Sequence, residues 1–218
     1  MFDIILFDLD GTISDSGPGI TRSAAYALEK FGIHVEDPRS LNHFVGPPLT
    51  ESFRDSFGFT PEQCAQAVLW YRERYKEKGV YETESYPGIR ELLRQLHESG
   101  KTVALATSKP TVFARVILEE YGVTDCFDLI LGCELDGRRG EKIEVMTECL
   151  RLLGVTEEQK KCTVMVGDRS YDIRGARACG VRSIAVTYGY APEGELEAAG
   201  PDYTVEDVAG LQALLLSE

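Results

Sequence analysis

The stretch Ile4-Ile5-Leu6-Phe7-Asp8-Leu9-Asp10-Gly11-Thr12 sets the first constraint on the fold. Four apolar residues make a buried strand, and the strand stops at two carboxylates one residue apart. Side chains alternate along a strand, so Asp8 and Asp10 would leave it on the same side, close enough to repel. Asp-Gly is also ordinary turn chemistry, with Asp8 capping a loop. The choice between these readings depends on what the rest of the chain brings to that strand end.

Beyond this strand, further short aliphatic runs lie at 102–107 (TVALAT), 128–132 (DLILG), 163–167 (TVMVG) and 182–187 (RSIAVT). They are continuous rather than alternating, the pattern of strands covered on both faces. Helical stripes separate them. Ile89, Leu92, Leu93 and Leu96 share one face at the spacing i, i+3, i+4, i+7, and similar stripes occur over 110–121 and 142–153. Gly100, Gly122 and Gly154 stand where a glycine stop is expected. Alternating strand and helix predicts an α/β fold, a doubly wound, Rossmann-like parallel sheet.

Residues 15–84 break the alternation. They read as helices without a core strand (GITRSAAYALEKFG, PPLTESFRDSFG, TPEQCAQAVLWYRERYKEKG), inserted after the first strand. The expected division is a catalytic core of 1–14 and 85–218 with a helical cap of 15–84. Turn-forming hinges fall at Ser14–Pro18 and Glu84–Gly88.

Composition narrows the function. The chain has 218 residues, 43% hydrophobic and 27% charged, with a formal net charge of -13. Such a charge argues against a nucleic-acid polymer or an anionic membrane as partner, although a metal or local cation can reverse the field inside a cleft. Six scattered cysteines form no C-x-x-C pair, so no zinc site is expected and the thiols read as buried and reduced, as in the cytoplasm. Asp3 and Asp8 interrupt any signal-like opening, and no apolar run approaches the ~18 residues of a membrane span. His34, His43 and His97 have no ligand spacing.

Ligands of open parallel sheets bind beyond the carboxyl ends of the strands. Asp8 and Asp10, then Thr107, Ser108 and Lys109, then Asp168 and Asp172 all fall there. Four carboxylates in one cleft would not all stay ionised without a cation; one would take up a proton. A hard oxygen donor set beside phosphate suits Mg²⁺. A carboxylate can attack phosphorus, a second can shuttle the proton, and a hydroxyl and a lysine can neutralise the phosphoryl charge.

Asp8-x-Asp10-Gly11-Thr12, Thr107, a lysine opening a later helix and Gly167-Asp168-x-x-x-Asp172 resemble, in order and spacing, the four motifs of the haloacid dehalogenase superfamily. The resemblance spans essentially the whole chain. It implies a Mg²⁺-dependent phosphatase of small phosphorylated metabolites, acting as a monomer or homodimer, with a mobile helical cap over the core. Asp8 would be the nucleophile and Asp10 the general acid/base. Thr107, Ser108 and the lysine would bind phosphate. Mg²⁺ would be held by Asp8, the Asp10 carbonyl and Asp168, with Asp172 in support. Two lysines compete for the third motif: Lys142 stands in the correct order, and Lys109 sits beside Thr107. Order favours Lys142. The presence of Asp10 separates the chain from true dehalogenases and from phosphonatase-like relatives. GEKIEV at 140–145 lacks the Lys-Pro pair of many phosphoglycolate phosphatases, whereas FVGPPL at 44–49 and DGRRGEK at 136–142 look more like the 5′-nucleotidase-like subgroup.

Gly46, Arg54 and Lys109 are candidate specificity residues, Gly46 and Arg54 with plain alternatives as turn and solvated helix positions. Trp70, Tyr71 and Tyr75 read as cap core or surface rather than as a base-stacking platform, and Asp15 as a hinge or cap residue. The alternatives to a phosphatase are a phosphotransferase or sugar-phosphate mutase using the same core residues, and a non-catalytic phospholigand-binding module.

Overall fold

The computed structural model describes residues 1–217. Five strands lie where the apolar runs predict them: β1 (Ile4–Phe7), then, past a short β2 (Ser14–Asp15) and β3 (Glu84–Ser85), β4 (Thr102–Pro110), β5 (Leu129–Cys133), β6 (Thr163–Gly167) and β7 (Arg182–Val186). A sixth sheet strand, β8 (Tyr203–Val205), is too short and polar to show as an apolar run. The sheet order is β5-β4-β1-β6-β7-β8, and every pairing is parallel. The strand order reverses at β1, which places the end of β1 at the crevice between the two halves.

Strand alternation divides the core into two faces. Ile5 and Phe7 of β1 join Val103, Leu105, Val164 and Val166 on one side. That side is covered by α4 (Ile89–Glu98), α5 (Thr111–Glu120) and α9 (Val208–Leu216). Ile4 and Leu6 join Ala104, Ala106 and Met165 on the other, beneath α6 (Lys142–Leu152) and α7 (Ser170–Cys179). The α4 stripe Ile89, Leu92, Leu93 and Leu96 is fully buried. The short α8 (Glu195–Ala199) packs on α7.

Between β2 and β3 the chain is helical: α1 (Gly17–Glu29), a 3₁₀ segment Pro38–Phe44, α2 (Leu49–Phe57), α3 (Pro61–Glu77) and a 3₁₀ turn Gly79–Tyr81. A Thr60/Gln63 capping box starts α3, and Gly58 in the left-handed region ends α2. Ser14–Asp15 and Glu84–Ser85 pair antiparallel at the two crossings of the chain. All six cysteines are free thiols, five of them buried and Cys162 half-buried. No helix of the described residues is long and apolar enough to cross a membrane.

Candidate active site

The two-fold alternation of β1 aims Asp8 at α6 and α7, because it continues the parity of Ile4 and Leu6. Lys142, the first residue of α6, meets it there. Its Nζ lies 2.8 Å from Asp8 Oδ1 and 2.8 Å from Asp172 Oδ1, and donates to the Ala106 carbonyl at 3.1 Å. Burial alone would pull this ammonium down, but Asp172 and Asp8 outweigh it and hold Lys142 above its ordinary value.

Asp8, Asp168 and Asp172 form one buried cluster, with an oxygen of each within 4.8 Å of the others. Asp168 is immobilised: Oδ2 accepts the Tyr190 N–H at 2.7 Å and Oδ1 accepts the Thr12 hydroxyl at 3.4 Å. Two glycines close on it, since a Cβ at Gly11 or Gly189 would fall 2.1 or 2.4 Å from the Asp168 side chain. Asp172 sits in the first turn of α7, where Oδ2 accepts the Arg169 N–H at 3.0 Å. Burial, then the charges of Asp172 and Asp8, raise Asp168 well above the carboxylate range. Burial also lifts Asp172, to about 6, against the pull of Lys142. Three crowded, desolvated carboxylates with only oxygen donors fit a hard divalent cation such as Mg²⁺.

Asp10 departs from the expectation of four carboxylates in one group and of mutual repulsion with Asp8. β1 ends at Phe7, and the chain turns through Asp10, which bridges to Ser14. Its two oxygens then each lie 2.8 Å from Lys109 Nζ. Each motif-one carboxylate therefore has its own lysine, Asp8 with Lys142 and Asp10 with Lys109. Thr107 is buried, and its Oγ1 accepts the Lys109 N–H at 3.2 Å.

Asp10, Ser108 and Lys109 open onto a cavity of about 200 Å³. Its remaining wall is largely apolar and aromatic, with Phe44, Tyr71, Tyr75 and Phe113, together with Gly46, Pro47 and Pro48. Tyr71 and Tyr75 stack at 5.3 Å, and Lys109 Nζ lies 4.8 Å over the Tyr75 ring. Both tyrosines are buried core residues, as the sequence reading has them, and their rings also line the cavity. Trp70 instead packs on Phe31, with ring centroids 5.0 Å apart. Gly46 joins the wall, but Arg54 does not: it is exposed and paired with its neighbour Asp55 at 2.7 Å. Arg72 of α3 crosses to the Leu135 carbonyl at 2.7 Å.

Several residues that shape the site carry no motif signal. Gly189 and Tyr190 buttress Asp168 from the loop after β7, and the Tyr190 hydroxyl donates to Asp15. Arg169 stands inside the Gly-Asp-x-x-x-Asp pattern, so a reading of its variable positions could have found it. Its partner Glu195 lies 26 positions later and had no signal.

A family model described as haloacid dehalogenase-like hydrolase matches residues 5–186. A 5′-nucleotidase of Pseudomonas aeruginosa is 43% identical over 213 residues, 98% of this chain and 95% of that protein. A tyrosine-protein kinase of Mycobacterium tuberculosis, PtkA, is 38% identical over 187 residues, 86% of this chain but 62% of that one. The crystal structure of a predicted phosphatase from Clostridium acetobutylicum superposes with a TM-score of 0.94 at 42% identity, covering 99% of each chain.

Proposed function

The chain belongs to the haloacid dehalogenase-like hydrolase family and is a phosphoric monoester hydrolase, and on that footing we propose that it hydrolyses small phosphomonoesters, nucleoside monophosphates foremost, by way of an aspartyl-phosphate on Asp8. Residues 15–84 would be the cap and the rest the core, in a cytoplasmic enzyme acting as a monomer or homodimer.

The observation that carries the substrate class is the cavity. It runs from Asp10, Ser108 and Lys109 to walls of aromatic and aliphatic side chains. A nucleoside presents flat apolar faces that such walls can cover. Glycolate would bring a carboxylate, which needs a free cation. Lys109 is already paired with Asp10, which leaves Arg72 of the lining, with one N–H given to the Leu135 carbonyl, to meet that charge. The 5′-nucleotidase relative favours the nucleoside.

The chemistry is a two-step displacement. A carboxylate oxygen of Asp8 attacks phosphorus as the ester P–O bond breaks, and Asp10 delivers the proton to the departing oxygen. Asp10 then takes a proton from the water that attacks the phosphorus of the acyl phosphate, which frees phosphate and restores the Asp8 carboxylate. Lys142, already beside Asp8, and the Thr107 and Ser108 groups neutralise and orient the transferring group. Asp8, Asp168 and Asp172, with the Asp10 carbonyl, would hold Mg²⁺, which supplies further charge neutralisation when bound.

The test is phosphate release with Mg²⁺ from nucleoside monophosphates, phosphoglycolate, sugar phosphates and pyrophosphate, with Asp8→Asn alongside. Preferential release from nucleoside monophosphates, absent in the variant, is the expected result. Preference for phosphoglycolate would overturn the substrate class, and no release from any compound would overturn the reaction.

A further inference from the structure

Arg169 comes directly after Asp168, yet nothing in the phosphoryl chemistry uses it. It is buried, with a side chain 7% exposed, and a buried guanidinium has to be fully paired. Glu195, at the start of α8, takes it in a fork: Nε donates to Oε1 at 3.0 Å and Nη2 to Oε2 at 3.1 Å. Glu195 Oε1 also accepts the Ser170 N–H at 2.8 Å. Both partners belong to the core, so the fork fixes the guanidinium plane without help from the helical insert. The remaining Nη1 donates to the Val45 carbonyl, in the loop between the 3₁₀ segment and α2.

That loop is a wall of the cavity, lined by Gly46, Pro47 and Pro48. Gly46 has φ +102° and rests on the arginine: a Cβ there would stand 3.0 Å from Arg169 Cγ and 3.2 Å from Nη1. Pro47 and Pro48 stiffen the rest of the loop, so holding the Val45 carbonyl and the Gly46 backbone sets the whole wall. We propose that Arg169, gripped by Glu195, is a positioning residue for leaving-group recognition, registering the 45–48 loop to the rim that carries Asp168. The α3 stretch of the lining has its own tie, Arg72 Nη1 to the Leu135 carbonyl. Loss of Arg169 therefore loosens the 45–48 wall and spares the α3 stretch.

The consequence is a split in kinetic constants. Asp8, Asp10 and Lys142 stay in place without Arg169, so the chemical step persists, while a leaving group facing a mobile wall binds less well. Lysine at 169 carries the charge but cannot serve Glu195 in a fork and Val45 at once. The kinetic arm rests on the phosphatase reading above, whereas amide exchange does not.

The experiment compares the full-length enzyme with Arg169→Ala, Arg169→Lys and Glu195→Gln. Steady-state kinetics use adenosine 5′-monophosphate and p-nitrophenyl phosphate with saturating Mg²⁺, and hydrogen–deuterium exchange is measured in peptides covering 41–53 and 67–78. Arg169→Ala is expected to raise the nucleotide KM about tenfold or more with kcat within about threefold. Arg169→Lys and Glu195→Gln are expected to fall between it and the parent. Exchange is expected to quicken over 41–53 and not over 67–78. Unchanged KM and unchanged exchange would overturn the proposal. So would exchange rising evenly through the chain, which marks a structural loss, or a fall in kcat with weakened Mg²⁺ affinity and intact KM, which marks an effect through Asp168. If the parent turns over neither substrate, the phosphatase reading fails, and the exchange comparison alone decides whether Arg169 holds the loop.

Discussion

Lys109 Nζ lies 2.8 Å from each carboxylate oxygen of Asp10, and neither side chain is more than 10% exposed. A buried pair of this kind is costly to break from one side, because the remaining charge loses its partner while staying out of water. Lys109→Met should therefore destabilise the protein by about 3 kcal/mol. The double variant with Asp10→Asn should cost less than the sum of the single variants by about 1 kcal/mol or more. Urea denaturation of the four proteins measures this, and additive single effects would mean the pair does not form in solution.

The Asp8, Asp168 and Asp172 cluster makes a metal prediction that needs no substrate. Mg²⁺ at ~100 times its Kd stabilises by about 2.7 kcal/mol, which for a chain of this length is a Tm rise of about 5–10 °C. Asp168→Asn should remove most of that rise, because the residue supplies one of the three buried oxygen donors. Thermal melts with EDTA and with Mg²⁺ give the answer. A rise in the variant as large as the parent's would place the cation elsewhere.

The strand-and-helix grammar of the core was legible because buried parallel strands leave continuous aliphatic runs, and β1, β4, β5, β6 and β7 all did so. β8 was missed because three residues with a half-buried Tyr203 and Val205 leave no such run. The site was legible where it depends on spacing from a strand end. Asp8, Thr107 and Asp168 come from their places at strand ends, and Lys142, rivalled in the sequence by Lys109, from the order of the motifs that the chain resembles. What could not be read were contacts between elements distant in sequence. Asp10 was expected beside Asp8, and only the turn after Phe7 reveals that it faces Lys109. The orientation of Tyr71 and Tyr75 toward the cavity, and of Arg54 away from it, depends on how the helical insert sits on the core. Its own helical periodicity does not specify that.

Glu195 gives a pH prediction of definite sign. Burial would raise its pKa, but Arg169 and the Ser170 N–H outweigh burial and hold the carboxyl below its ordinary value. A folded-state pKa below the unfolded one contributes stability that is complete above the ordinary glutamate value of ~4.3 and is lost as pH falls through the folded value. Glu195→Gln should therefore lower Tm by about 2–10 °C near pH 7, as expected for about 1–3 kcal/mol from the charge-assisted bonds. The gap between parent and variant should close below pH ~4. A gap that stays constant from pH 3 to 7 would mean the carboxylate's charge contributes nothing to the fork.

Gly189 is where close packing and metal chemistry meet. A Cβ at this position would fall 2.4 Å from Asp168 Cβ and Oδ2 and 2.5 Å from the Gly11 carbonyl oxygen. None of these can yield cheaply, because the Gly11 oxygen is backbone and Asp168 is held by the Tyr190 N–H and the Thr12 hydroxyl. Gly189→Ala should thus push Asp168 out of register with Asp8 and Asp172 rather than simply crowd the loop. Displacing the supports of a metal ligand typically costs about 10–100-fold in affinity. Isothermal titration with Mg²⁺ should show a loss in that range for Gly189→Ala. Gly194→Ala is the control: its φ of +80° strains the backbone of the variant, a strain Gly189 does not carry, but nothing lies within 4 Å of its Cβ, so it should leave the Mg²⁺ affinity unchanged. Equal Mg²⁺ affinity in parent and Gly189→Ala would show that the loop after β7 can retreat without moving Asp168, and that the carboxylate is positioned by β6 alone.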